Sequence, residues 1–307
     1  MEWFVPAADG RTLAVEEAGD LDGRPVMVHV GTPNSRHLYG RTVADAAARG
    51  LRLISYDRPG YGDSTPQPGR TVADCAQDAR VICAALGIGR LAMWGFSGGG
   101  PCVLACAALA PELVTAAASL CSSAPFDAEG LDWFAGMGPG AVDDVRLLFE
   151  DEAASRADFE KEREHLLAAS PAELAREWRS GLSPGDDPGF LTDEAACMQQ
   201  ALAAGIEGCR DDCRAQVTPW GFEVGQIRVP VLLMHGPPGQ VRAVQPRPVA
   251  RRAHSRRRGQ DVRQRRPRDT PGEPHRGSAR MARRASLADG LPGSHLHRPA
   301  TTDLPAK

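Results

Sequence analysis

Lysine is almost missing from this sequence: Lys161 and Lys307 stand against 34 arginines in 307 residues, a bias that resembles a GC-rich gene. Aromatic residues make up only 5%, with three tyrosines among them. The eight cysteines form no Cys-x-x-Cys pair. Cys209 and Cys213 stand four residues apart, but no second pair or nearby histidine completes a zinc donor set, so no metal is expected. Most cysteines sit in apolar surroundings such as Ala105-Cys106-Ala107, where the residue serves as a small hydrophobe. That usage implies a reducing cytoplasm rather than a disulfide framework. Long apolar runs are missing too, since none approaches the ~20 residues of a membrane-spanning helix. Met1-Glu2-Trp3-Phe4 has neither the basic n-region nor the apolar h-region of a secretory leader. These absences exclude a metal centre, a disulfide-rich secreted fold and a membrane partner, and point to the cytoplasm. What is present is 42% hydrophobic residues, enough for a sizeable core in one large α/β domain or two small ones.

Charge is unevenly spread. The formal net charge is -3, yet residues 237–307 carry sixteen arginines and one lysine against four Asp and one Glu, a net of +12. The first 236 residues are correspondingly acidic. Residues 237–307 also hold ten of the 25 prolines and no Phe, Trp or Tyr. Such a stretch buries too little apolar surface to offset its ordering entropy, and is read as disordered. Arg256-Arg257-Arg258 and the run from Arg263 to Arg268 would attract phosphates by Coulomb force. No aromatics interleave to stack on bases, so a solvated charge run is the plainer reading and no nucleic-acid partner is expected.

Before that tail, the pattern alternates. Compact β-rich runs at residues 25–30, 51–56, 91–94 and 115–122 are separated by amphipathic segments at 36–49, 71–87 and 98–110. Alternation of this kind predicts βα units and a mostly parallel sheet. Trp3–Val5 and Leu13–Glu17, parted by Asp9-Gly10, read as an edge hairpin. Residues 123–224 lose the strand-like runs. Ser155–Ala168 and Ser170–Leu182 place apolar residues at helical spacing, with Pro171 after Ser170 as Pro at N1 follows an N-cap. This is a helical insertion. Ile227–Met234 then returns to strand, so the organisation reads 1–122 as the first part of the core, 123–224 as the insertion, 225–236 as a core strand and 237–307 as the tail.

Gly95-Phe96-Ser97-Gly98-Gly99 is a G-x-S-x-G between the run Leu91–Trp94 and an Ala-rich helix. Strand, tight turn and helix are the setting of a nucleophile elbow, with Ser97 raised at the sheet rim. Small flanking residues suit the close backbone approach such a turn needs. There the backbone N–H of Gly98, at a helix N-terminus, can point at a developing oxyanion. The plainer alternatives are an ordinary tight turn or a phosphate loop; no Lys follows, and the glycine spacing misses G-x-G-x-x-G. Gly31-Thr32-Pro33-Asn34 ends the earlier strand, which makes the Thr32 N–H the candidate second donor. His29 reads as a wall residue rather than a general base.

Four segments in this order resemble the α/β-hydrolase superfamily: His29 to Arg36, Tyr56-Asp-Arg-Pro-Gly-Tyr-Gly-Asp-Ser64, Gly95 to Gly99, and Pro230 to Gly236. The likeness is to bacterial members grouped with proline iminopeptidases, esterases and haloperoxidase-like enzymes, and covers roughly residues 1–236. It implies the α/β-hydrolase fold, an eight-stranded, mostly parallel sheet flanked by helices, with 123–224 as a helical lid. It further implies Ser97 as nucleophile, Thr32 and Gly98 as oxyanion donors, a small-molecule substrate and no cofactor. Val30 departs from the His of the family's usual His-Gly pair.

The resemblance also implies an Asp and a His after the strand ending at Met234, in a pattern H-G-x-x-D-x-x-V-P followed by D-G-H. Gly239 stands at the Asp position, and no Gly-His dipeptide follows. The tail is therefore read as out of frame. A one-base shift permits Asp across the codons of Gly239 and Gln240, Val-Pro across Arg242 to Val244, and Asp-Gly-His across Arg265 to Arg268. The hidden Asp and His then lie 28 positions apart, as the family has them. In the translated chain the acid and base are unassigned. No local pattern positions His254, His275, His295 or His297, and Asp127 either serves as a fallback acid or simply opens the insertion. Trp133, Phe134, Trp220 and Phe222 read as core of the insertion or, less plainly, as pocket walls. Two functions stay open: an ester or amide hydrolase acting through Ser97, and a non-catalytic member that lacks its acid and base. The sequence leaves the oligomeric state unassigned.

Overall fold

A computed structural model describes residues 1–135, 139–179 and 188–235. The basic tail, the shifted-frame Asp and His, and the last residues of the helix read to Leu182 lie outside them.

The first two strands, β1 (Glu2–Pro6) and β2 (Thr12–Gly19), form the expected hairpin, with Gly10 supplying the positive φ of its turn. The five strands that follow are β3 (Arg24–His29), β4 (Leu51–Tyr56), β5 (Leu91–Phe96), β6 (Val114–Leu120) and β7 (Val231–Met234). They stand in the order β1-β2-β4-β3-β5-β6-β7, antiparallel from β1 to β4 and parallel from β4 to β7. Three helices fill the crossovers: α1 (Gly40–Ala48), α2 (Asp74–Ala85) and α3 (Gly99–Leu109). The α/β-hydrolase expectation for the fold is met, with seven strands among the described residues. β7 begins later than the sequence pattern indicated. A 3-10 turn occupies Val224–Gln226, and Pro230, having no N–H, cannot join the ladder as a donor.

The main core lies between the sheet and the pair α2 and α3. Val15, Met27, Ile54 and Met93 of the sheet meet Ile82 of α2 and Val103 of α3, all with 2% exposure or less. α3 is buried almost from end to end, which explains its uniformly apolar and small composition. On the other face, Val28, Val30 and Leu53 pack with Ala46 of α1.

Between β6 and β7 run five helices: α4 (Pro139–Glu150), α5 (Glu152–Ala168), α6 (Pro171–Trp178), α7 (Pro188–Leu202) and α8 (Glu207–Gln216). Their starts are locally encoded. Asp151 accepts the Ala154 N–H at 2.9 Å, and Ser170 with Glu173 forms a capping box ahead of Pro171. Leu148, Phe159, Leu166, Leu174, Met198 and Leu202 make a second apolar cluster, which Tyr61 from the β4–α2 loop enters. Trp133 packs with Phe126 and Phe134 in this cluster, and Trp220 packs with Val72 and Leu104 in another, so these aromatics are core. Among the described residues no helix is long and apolar enough to cross a membrane.

Candidate functional site

The strand order reverses at β3, which lies between β4 and β5. Loops leaving the carboxyl ends of β3 and β5 therefore diverge, and this switch point is the usual place for ligands in an open α/β sheet. Ser97 stands on that rim, at the end of β5 and just before α3. Its φ is +49°, a left-handed backbone that costs a non-glycine residue about 1–3 kcal/mol. Its N–H donates to Leu120 O of β6 at 3.0 Å and its carbonyl accepts from the Gly100 N–H at 3.1 Å, which fixes the bend. Gly95 and Gly99 are dictated by contact: a Cβ at residue 95 would stand 2.6 Å from Gly99 O, and one at residue 99 would strike His29 O.

The loop after β3 lies against this bend. A Cβ on Gly31 would be 3.6 Å from Ser97 Cβ, and one on Gly98 would collide with Thr32 Oγ1. The Thr32–Pro33 peptide is cis. Ser97, Gly98 and Thr32 are thus brought together. Neither the Thr32 nor the Gly98 amide donates to another described residue.

A buried charge network underlies the loop. Arg58 donates to Val30 O at 2.6 Å and Gly31 O at 2.7 Å, and pairs with Asp212 of α8 at 2.5 Å. Asp212 also pairs with Arg70 at 2.5 Å and accepts from Tyr61 Oη at 2.9 Å and Thr32 Oγ1 at 2.8 Å. Burial alone would push the Asp212 carboxyl up, but the charges of Arg58 and Arg70 outweigh it and hold it well below the ordinary range. A second pair ties the same loop to β4. Asp57 accepts the Arg36 backbone N–H at 2.6 Å and its guanidinium at 2.5 Å. α8 reaches this region because Gly60 and Gly208 let two backbones touch: a Cβ on Gly60 would lie 2.8 Å from Gly208 N.

Tyr39, Phe96 and Phe190 of α7 form an aromatic edge beside the loop, with Tyr39 5.2 Å from Phe190 and 6.5 Å from Phe96. The Tyr39 hydroxyl donates to the buried Glu194 carboxyl. Burial pushes that carboxyl up, and hydrogen bonds from Tyr39 and Asn34 offset the effect only in part. With its folded value above its unfolded one, Glu194 favours the fold at low pH and loses that contribution as pH rises from the ordinary carboxylate range through the raised value. Glu194→Gln is therefore expected to melt above the parent at pH 8, with the advantage gone at pH 4, in thermal scans across that range.

The remaining candidates fall outside this site. His29 is buried, edge-on to Tyr56 at 5.7 Å, and burial with the charge of Arg58 lowers its pKa to about 3. It is a neutral wall residue. Asp127 is exposed on a turn. Among the described residues no group of His, Cys, Asp or Glu could hold a metal, and all eight cysteines are free thiols. Sequence reasoning did not single out Arg58 as a side chain and missed Asp212. Asp212 sits beside Asp211 in a polar helix, and its partners Arg58 and Thr32 lie 154 and 180 residues away.

Residues 24–182 match the family described as alpha/beta hydrolase fold. The chain is 31% identical over 243 residues to a non-heme chloroperoxidase of Streptomyces lividans, covering 77% of this chain and 82% of that protein. It is 35% identical over 98 residues to a non-heme haloperoxidase of Rhodococcus erythropolis; that match spans 32% of this chain and about a third of the relative, 35%. Among solved structures it resembles an esterase from Exiguobacterium antarcticum with a TM-score of 0.55 at 19% identity, covering 83% of this chain and 87% of the esterase.

Proposed function

This chain belongs to the α/β-hydrolase fold family, and on that premise we propose that it is a serine hydrolase cleaving an ester or amide bond in a small organic substrate. The observation that carries the reading is the left-handed backbone at Ser97, held against Thr32 and Gly98. In the proposed reaction Ser97 Oγ attacks the substrate carbonyl carbon and the π electrons move onto oxygen. The Thr32 and Gly98 amides receive that oxyanion. A base takes the Ser97 proton and returns it to the leaving alcohol or amine, and water then releases the acyl group. We assign the acid and base to the shifted-frame reading of the residues after Gly236. The free thiols support a cytoplasmic setting.

The test is labelling by a fluorophosphonate probe, with the modified residue located by mass spectrometry, in protein from a frame-restored gene. Labelling at Ser97 is expected; a probe that leaves Ser97 untouched defeats the proposal. The translated chain favours a second reading, because Gly239 replaces the acid and no Gly-His follows. In this form Ser97 keeps its ordinary weak nucleophilicity and the protein is non-catalytic. Turnover of p-nitrophenyl esters by the 307-residue chain well above a Ser97→Ala control would refute that reading.

A further inference from the structure

We propose that helix α8 sets the geometry of the oxyanion site, with Asp212 as the positioning residue for Thr32 and Gln216 as that for Gly98; the idea rests on Ser97 as nucleophile. Asp212 and Gln216 are four residues apart, so they lie one turn apart on the same face of α8. That face meets both loops at once.

Asp212 Oδ2 accepts from Thr32 Oγ1 at 2.8 Å, Tyr61 Oη at 2.9 Å and Arg58 Nε at 2.9 Å. Arg58 extends the hold to the carbonyls of Val30 and Gly31. Three consecutive residues, ending at the proposed donor, are therefore fixed to one carboxylate. A peptide unit held at both its carbonyl and the following side chain has little freedom to turn its N–H. Gln216 acts on the second loop. Its Oε1 accepts from Ser123 Oγ at 3.1 Å, which orients the carboxamide. Its Nε2 lies 3.1 Å from where a Cβ on residue 98 would stand, beside Thr32 Oγ1. Thr32 thus packs between Gly98 and Asp212, and its hydroxyl joins the donor loop directly to α8. An ion pair serving stability alone would need Arg58 and Arg70 but not that hydroxyl.

The hydroxyl can be removed without disturbing the charges. Thr32→Val and Thr32→Ala delete it, and Thr32→Ser keeps it. In protein from the frame-restored gene, parent and variants alike, two quantities are read: backbone amide exchange over residues 30–34 by mass spectrometry, and the rate of fluorophosphonate labelling at Ser97. Val and Ala are expected to exchange about tenfold faster and to label roughly 10–100-fold more slowly, the scale of a misplaced or lost transition-state contact. Ser is expected to stay within about twofold of the parent on both, as a small retained contact predicts. Equal exchange and labelling in Val, Ala and Ser would overturn the positioning role while leaving Ser97 as the nucleophile. A parent unlabelled at Ser97, with exchange still separating Ser from Val and Ala, would instead sustain the clamp and sink the hydrolase reading.

Discussion

Replacing Asp212 with alanine is expected to destabilise the protein by about 3–5 kcal/mol, the usual result of removing one partner from a buried ion pair. Arg58 and Arg70 are both 3% exposed or less in their side chains and would be left facing each other without a counter-charge. Tyr61 and Thr32 would lose their acceptor as well. Asp212→Asn keeps the shape and an acceptor oxygen but not the charge, so it is expected to recover only a minor part of the loss. Urea unfolding of the three proteins measures this; a midpoint for Asp212→Ala equal to the parent's would contradict it. The same carboxylate gives the parent a pH dependence. Its folded pKa is depressed, so its contribution is complete above the unfolded value of about 4 and is lost as pH falls below it. The parent should therefore lose stability in acid faster than Asp212→Ala does.

Ser97→Ala, in protein with the restored reading frame, is expected to cut ester hydrolysis on the order of a million-fold, the scale found when a nucleophile acting with its base is removed. Its melting temperature should stay at the parent value, because alanine leaves the same Cβ at a φ of +49°. Ser97→Gly should be as inactive and yet melt higher, since glycine tolerates that backbone without the strain. Measuring turnover and melting on all three separates chemistry from stability. An alanine variant within tenfold of the parent rate would exclude Ser97 as the nucleophile.

The elements that carry this site were legible because their signals are local. Apolar runs bounded by Gly and Pro located β3, β4 and β5 to within two residues at either end. Ser170-Pro171 marked the start of α6. Gly95 and Gly99 bracketed a bend that only small residues permit. What stayed illegible is non-local. Nothing in the heptapeptide around Asp212 distinguishes it from a solvated helix residue, because its partners arrive from the loop after β3 and from the β4–α2 loop. Glu194 was equally hidden: its partners Tyr39 and Asn34 belong to a segment more than 150 residues earlier. The strand expected from Ile227 was placed too early because apolar periodicity carries no penalty for Pro230.

The two largest apolar clusters, one behind the sheet and one among α4 to α8, share no side chain. Each can persist while the other loosens, and the carboxylate on α8 is part of what makes them yield together. Cooperativity is then a property of pH as much as of packing. In strong acid, where that carboxylate at last takes up its proton, a single calorimetric peak should resolve into two, the helical layer melting apart from the sheet beneath it.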